Sequence, residues 1–313
     1  MKPIRIIALL PLVAILSACN SVMLHPSGDV AVQQRDLLLY ATELMCIVIV
    51  PVVFLTAFFA WHYRHTNTAA RYEPHWHHST MLEVVIWGVP VMIIIAIGMQ
   101  TWKTAHTLDP YRQLTRIAPD QPVPPGTKPL IVQAVALDWK WLFIYPEQGI
   151  ATVNDLAAPV NQPIEFRLTA DRVQNALDIP AMAGMVYAYP GMETELHAVI
   201  NKPGDYKGQS SRFSGAGFSK MHFVFHGLSN ADFDKWVADA KASGNTLDAT
   251  TYLGLAVPSA GEPVHRYGTV DPQLYSTALD QCVGKSPNMC LSTQRANDVK
   301  KGNGLCRPNV ASN

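Results

Sequence analysis

The chain has 313 residues, with 24 basic and 24 acidic side chains and a formal net charge of +0. That balance leaves no electrostatic footprint for nucleic acid and no bias toward an acidic substrate. Charged residues make up only 15% of the chain, against roughly 25% in ordinary soluble domains, and the first third holds long uncharged runs.

The first eighteen residues have the pattern of a secretory signal: Lys2 and Arg5 lead an apolar core over 6–16, and Leu16-Ser17-Ala18 precede Cys19. The L-S-A-C end resembles a bacterial lipobox, which makes Cys19 the lipidated first residue of the mature chain. The alternative is an ordinary signal, or a first membrane helix that happens to carry a cysteine. Residues 19–36 then form a short periplasmic segment.

Two membrane spans are predicted, over 37–62 and 81–103. Residues 44–61 and 84–102 are uncharged, enough to cross about 30 Å of hydrocarbon. Pro51 is tolerable inside such a helix, and Trp61, Tyr63, Trp76 and Trp102 sit near the span ends, where aromatic rings favour the headgroups. Arg64 and Arg71 between the spans are balanced by Lys103, Arg112 and Arg116 after them, so charge does not set the orientation. A lipidated Cys19 does: it lies outside, the loop 63–80 is cytoplasmic, and everything after the second span is periplasmic. The loop holds His62, His65, His75, His77 and His78 at spacings unlike a structural zinc site, and they read as interfacial. Glu83, at the cytoplasmic mouth of the second span, is either an interfacial anchor or a proton-exchanging group, since acidic residues at membrane depth mark proton paths.

Residues 104–129 form a linker with a proline-rich end. Strand-like runs follow over 130–137, 139–145, 163–170, 193–200 and 221–225, with turn residues between them, which predicts a β-sandwich over 130–228. In a strand, Trp139 and Trp141 would share a face and fill the core or a partner contact. Ser229 and Asp232 resemble a capping box, and Phe233, Trp236, Val237 and Ala240 recur at helical spacing, so 229–257 is read as a helical extension. The tail 258–313 shows little periodicity. Cys282, Cys290 and Cys306 allow one internal disulfide at most, and spacing does not choose the pair.

The order of lipobox, two spans and sandwich resembles subunit II of the haem–copper oxidases. The runs Ala136-Leu137-Asp138-Trp139-Lys140-Trp141-Leu142-Phe143-Ile144-Tyr145-Pro146-Glu147 and Gly149-Ile150-Ala151-Thr152-Val153-Asn154 narrow this to the ubiquinol oxidases of the cytochrome bo type. Ile179-Pro180, Gly184 and Gly191-Met192 add to the resemblance, and Phe233-Asp234-Lys235-Trp236-Val237 resembles that family's aromatic-rich extension. The resemblance implies a fold of two transmembrane helices in a hairpin, followed by an all-β cupredoxin-like sandwich with a C-terminal helical extension.

In copper-bearing relatives the stretch 204–221 carries C-x-E-x-C-x3-H-x2-M. Here the two Cys positions hold Ser210 and Ser214, the Glu position Arg212 and the His position Phe218. Met221 alone survives, and Asn175 stands where a further His is expected. Soft copper takes thiolate, imidazole and thioether donors, so the resemblance implies no metal and no other cofactor in this chain. It implies haem and copper in a large partner, subunit I, together with subunits III and IV, membrane lipid as surroundings, ubiquinol as the substrate of the complex, and no catalytic centre in this chain alone. It also implies a bacterial inner-membrane location, and that Glu83 lies at the mouth of a proton path. The competing readings are a copper-bearing cytochrome c oxidase subunit II and a lipid-anchored binding or assembly protein.

Overall fold

The computed structural model describes residues 21–300 apart from Tyr72, with side chains described through residue 297. The signal segment, Cys19 and Cys306 lie outside the described residues. The chain forms two compact units, Gln33–Asp109 and the combination of Met1–Val32 with Pro110–Asn313.

The first unit consists mainly of two helices, α1 (Asp29–His62) and α2 (Thr80–Thr107), both long and apolar enough to cross a membrane. Pro51 and Pro90 lie inside them. Helix α1 begins at Asp29 rather than at the expected residue 37. An acidic residue favours a helix N-terminus, and Val30 and Ala31 are buried. Its first turn, through Val32, belongs to the second unit, where backbone bonds hold it and the two residues before it. Ser27 N and Gly28 N both donate to Ala181 O, and Ala31 N donates to Met182 O. A Cβ on Gly28 would lie 2.4 Å from Val199 O, so only glycine permits this approach.

The second unit is a sandwich of two sheets. Its strands are β1 (Arg116–Ala118), β2 (Gln121–Pro122), β3 (Leu130–Leu137), β4 (Lys140–Tyr145), β5 (Ile150–Val153), β6 (Asp155–Pro159), β7 (Ile164–Ala170), β8 (Asn175–Asp178), β9 (Val186–Ala188), β10 (Thr194–Ala198), β11 (Gly204–Ser210) and β12 (His222–Leu228). The chain then forms α3 (Asn230–Ala242), β13 (Thr246–Leu247), α4 (Ala249–Leu255), β14 (His265–Tyr267), β15 (Thr269–Val270), α5 (Leu274–Leu279) and α6 (Leu291–Lys300). The two large sheets run β10-β7-β3-β4-β5-β14 and β6-β12-β11-β8-β9, while β1-β2 and β13-β15 form small sheets of their own. Most neighbours are antiparallel, but β3 pairs with β7 and β6 with β12 in parallel.

Strand β4 explains how the unit is layered, because all six of its residues are buried. Side chains alternate across a strand. Trp141 and Phe143 meet Phe223 of the opposite sheet, with ring centroids 6.3 and 4.9 Å away. Leu142 and Ile144 face the other way, into a second core with Val135, Leu137, Tyr252, Leu255, Tyr267, Leu274 and Tyr275. A strand covered on both faces reads as a continuous apolar run.

The described part of the tail, 258–300, is folded although its sequence shows little periodicity. Its β14 pairs with β5, matching Tyr267 to Ala151, while α5 buries Leu274, Tyr275 and Ala278. These elements are too short to show a period in the sequence. Cys282 and Cys290 form the disulfide. Helix α3 follows expectation: Ser229 Oγ accepts from Asp232 N, and Phe233, Trp236, Val237 and Ala240 are its buried face.

The two tryptophans do not share a strand face. Trp139 lies in the β3–β4 turn with φ of 65°, while Trp141 is fully buried. The left-handed turn at Trp139 sends its indole toward the 214–217 loop, where Nε1 donates to Ser214 O at 3.0 Å.

Candidate functional site: the 204–221 loop and the start of the second helix

Ser210 closes β11 and Asn175 opens β8, and both are buried. Ser210 Oγ donates to Asn175 Oδ1 at 3.1 Å, while Asn175 Nδ2 donates to Val173 O at 2.9 Å. Met221, also buried, accepts at its carbonyl from Ser210 N at 3.1 Å. These three positions thus come together as a neutral hydrogen-bonded group. Arg212 is exposed, and Phe218 turns its ring edge-on to Phe213 at 5.6 Å. Ser214 is held through its carbonyl by Trp139. A Cβ on Gly217 would sit 2.3 Å from Trp139 Cδ2, so the loop is wrapped closely on the indole.

The donor set does not fit copper. Hydroxyls and a carboxamide are poor soft-metal ligands, a phenyl ring and a guanidinium offer no lone pair for the ion, and one thioether is too few. Asn175 and Ser210 already spend their polar atoms on each other and on Val173.

Glu83 stands in the first turn of α2, where the helix dipole favours a negative charge. Its Oε1 is 2.8 Å from His78 Nδ1, and His78 Nε2 is 3.2 Å from Thr80 Oγ1, with both His78 and Glu83 more than half exposed. His78 is the partner that sequence reasoning missed among five histidines; its place five residues before Glu83, just ahead of the helix start, was the available signal. His65, His75 and His77 are exposed and His62 half-buried. Among the described residues, the one close group of His, Cys, Asp or Glu ligand atoms is Asp280, Cys282 and Cys290, whose cysteines are bridged.

The sequence also holds, unremarked, a buried charged cluster. Asp155 Oδ1 accepts from His226 Nε2 at 3.0 Å; its Oδ2 accepts from Arg266 Nη2 at 2.9 Å and Trp236 Nε1 at 3.3 Å. Burial pushes the Asp155 carboxyl up, but the His226 and Arg266 contacts together hold it below the usual range. The hydrogen bond that His226 donates to Asp155 is the main reason its imidazole is raised, with Asp205 at 2.6 Å adding to it. A lone Asp and Lys140 inside otherwise apolar strands were the signals for such contacts.

Comparison with known proteins assigns the chain. It is 45% identical over 282 residues to cytochrome bo(3) ubiquinol oxidase subunit 2 of Pseudomonas putida, covering 90% of this chain and 87% of that one. The chain belongs to the ubiquinol oxidase subunit 2 family of the haem–copper oxidases. Ubiquinol oxidase subunit 2 of Acetobacter aceti is 47% identical over 265 residues, with 85% of this chain and 84% of the relative covered. Cytochrome bo(3) ubiquinol oxidase subunit 2 of Pseudomonas aeruginosa is 43% identical over 265 residues, covering 85% and 77%. The family model for the periplasmic domain of cytochrome c oxidase subunit II matches residues 146–228, and the COX aromatic-rich motif matches 241–286. The motif match thus begins after the Phe233–Val237 run on which the sequence resemblance rested, and covers β13, α4, β14, β15 and α5. As a family member the chain is a non-catalytic component of an oxidoreductase complex, and the copper-bearing cytochrome c oxidase reading gives way to it.

Proposed function

We propose that this chain is the copper-free second subunit of a proton-pumping ubiquinol oxidase in a bacterial inner membrane. The observation that carries the reading is the 204–221 loop, where Ser210, Arg212, Ser214 and Phe218, with Asn175 upstream, stand at the positions that the resemblance gives to copper ligands, beside Met221. A copper entry point serves an electron carrier in solution. A quinol dissolved in the bilayer can deliver electrons directly to the large subunit I, which in this reading holds the haems and copper. Subunits III and IV complete the complex.

The sandwich takes up the start of α1 through Ala181 and Met182, and the chain rejoins the sandwich unit after α2 at Pro110. In a two-span protein that connectivity supports a sandwich, a residue 19–28 segment and a Cys19 lipid anchor all on the periplasmic side. The loop with His78 then faces the cytoplasm, the side from which protons for oxygen reduction are drawn, and Glu83 is the mouth of their path. His78 holds the Glu83 carboxylate at that mouth.

Purification of the detergent-solubilised complex through a tag on this chain tests the reading. Haem spectra and quinol-driven oxygen uptake should accompany the tag. A chain that purifies from its native membrane without a haem protein would instead be a lipid-anchored binding or assembly protein.

A further inference from the structure

We propose that the Cys282–Cys290 disulfide is a redox-sensitive clasp that holds α6 over the Gly191–Met192 turn. The bridge joins cysteines only 8 residues apart, and the segment it closes leads directly into α6. Several contacts seat that helix, among them Leu291 N donating to Asp280 O at 3.0 Å. Leu291 lies directly on Gly191, where a Cβ would approach Leu291 Cδ2 to 2.3 Å and φ is +69°. Arg295 Nη2 donates to Gly191 O at 3.1 Å. Asp280 caps the first turn, accepting from Ser292 N at 2.6 Å and from Ser292 Oγ at 2.5 Å. Between this strap and the sandwich lies a cleft of about 430 Å³, lined by Gly191, Met192, Glu193, Ser276, Leu279 and Arg295 among others.

The strap is weak without its covalent tie. Over its described side chains, 291–297, α6 has no buried residue, so no apolar core anchors it. Its polar contacts are exposed or half-exposed, the kind that water replaces at little cost. By contrast α5, just before the bridge, is fixed by Leu274, Tyr275 and Ala278, and Val283 is buried too. A disulfide acts by restricting the loosened state, so the bridge decides whether α6 stays down. Both cysteines are half-buried, which leaves the sulfurs open to an attacking thiolate.

The reductant is a dithiol of the thioredoxin type. Its thiolate attacks one sulfur and forms a mixed disulfide, and the other cysteine leaves as a thiolate and takes a proton. The second thiol of the reductant then displaces the first cysteine. Two electrons pass, this chain gains two thiols, and the reductant keeps the disulfide. Release of α6 opens the cleft and uncovers the buried Gly191.

Hydrogen–deuterium exchange on the intact detergent-purified complex tests the clasp, using thioredoxin with its reductase, and dithiothreitol as a second probe. Reduction should speed exchange of the 291–297 amides by about tenfold or more, with a smaller rise at 191–194 and none in β3 and β4. The Cys282→Ser/Cys290→Ser variant should show the same pattern without reductant. Unchanged exchange at 291–297 in the reduced protein overturns the clasp. So does a rise spread evenly through the sandwich, or free thiols at both positions in untreated protein. If the double variant does not accumulate, the reduced wild-type complex decides the matter alone.

Discussion

Lys140 Nζ donates to the carbonyl of Leu255 at 2.7 Å, from the middle of the sandwich to the end of α4. The same ammonium reaches Val257 O at 3.0 Å and stands 3.8 Å from Glu262 Oε2. Burial pulls the Lys140 ammonium below its usual range, against the pull of Glu262 and Asp138. Replacing it with methionine keeps the bulk but leaves two carbonyls without this donor. Lys140→Met is expected to cost about 1–3 kcal/mol and to loosen the extension first. Limited proteolysis should cut near 256–262 before the sandwich unfolds; cleavage unchanged from wild type would remove Lys140 as the tie.

The Asp155–His226 pair gives a pH signature. His226 is raised chiefly by Asp155, and it is faced by Asp205 from β11 and by Arg266 and Trp236 through their shared hold on Asp155. A group raised on folding contributes fully below its unfolded value, about 6.5 for histidine, and loses that contribution as pH climbs through the folded value. Thermal stability of the intact chain should therefore fall as pH rises above about 6.5. His226→Gln should be less stable near pH 6 and show a flatter decline; an identical profile would mean that His226 is not the titrating group.

Much of this architecture was legible. The capping pattern at Ser229 and Asp232 and the i, i+3, i+4 spacing of Phe233, Trp236 and Val237 gave α3 with its buried face, because a helix that covers a core must show that period. Strands β3 and β7 appeared nearly to the residue. The run Trp141–Tyr145 was readable as buried, but what covers its second face was not: Leu142 and Ile144 pack under Leu255, Tyr267 and Leu274, more than a hundred residues later. Trp139 was misplaced because the left-handed turn that takes it out of the strand leaves no mark in an aromatic residue. In the 204–221 loop the residue types were plain, whereas the Ser210–Asn175 bond needed the β8–β11 pairing, which places Ser210 opposite Leu177.

Copper binding follows from that loop. The intact chain is expected to take up no stoichiometric copper, measured by metal analysis after copper addition and desalting. The intact chain is the right sample, since a fragment ending at Ala256 would strip Tyr267, Leu274 and Tyr275 from the second core. Ser210→Cys and Ser214→Cys, combined with Arg212→Glu, Phe218→His and Asn175→His, should yield a purple chromophore on the retained framework. Tight binding by the unaltered chain would contradict the reading.

Lipidation is checked on the mature protein. Mass spectrometry should find Cys19 as the first residue, carrying acyl chains, and a different, unmodified N-terminus would exclude it. Cys19→Ser should still reach the membrane in part, because two apolar helices anchor far more strongly than one lipid modification.

Glu83 is the sharpest test of how the chain serves its complex. A carboxylate in the first turn of a helix is stabilised by the dipole whether or not protons pass through it, so position alone does not separate an anchor from a proton mouth. The His78 contact makes the two roles distinguishable. An anchor needs only charge or polarity at the membrane surface, which Glu83→Gln keeps. A proton mouth needs a group that binds and releases protons, which glutamine cannot do. Glu83→Gln and Glu83→Ala should both slow quinol oxidation several-fold, roughly 1 kcal/mol or more in barrier, at unchanged haem content and subunit composition. Glu83→Asp keeps the titrating group but draws it back from His78, and should fall between these and wild type. His78→Gln should leave assembly intact and slow turnover less than Glu83→Ala, because it removes only the contact that holds the carboxylate in place. Full turnover by Glu83→Gln at normal haem content would leave Glu83 as an anchor.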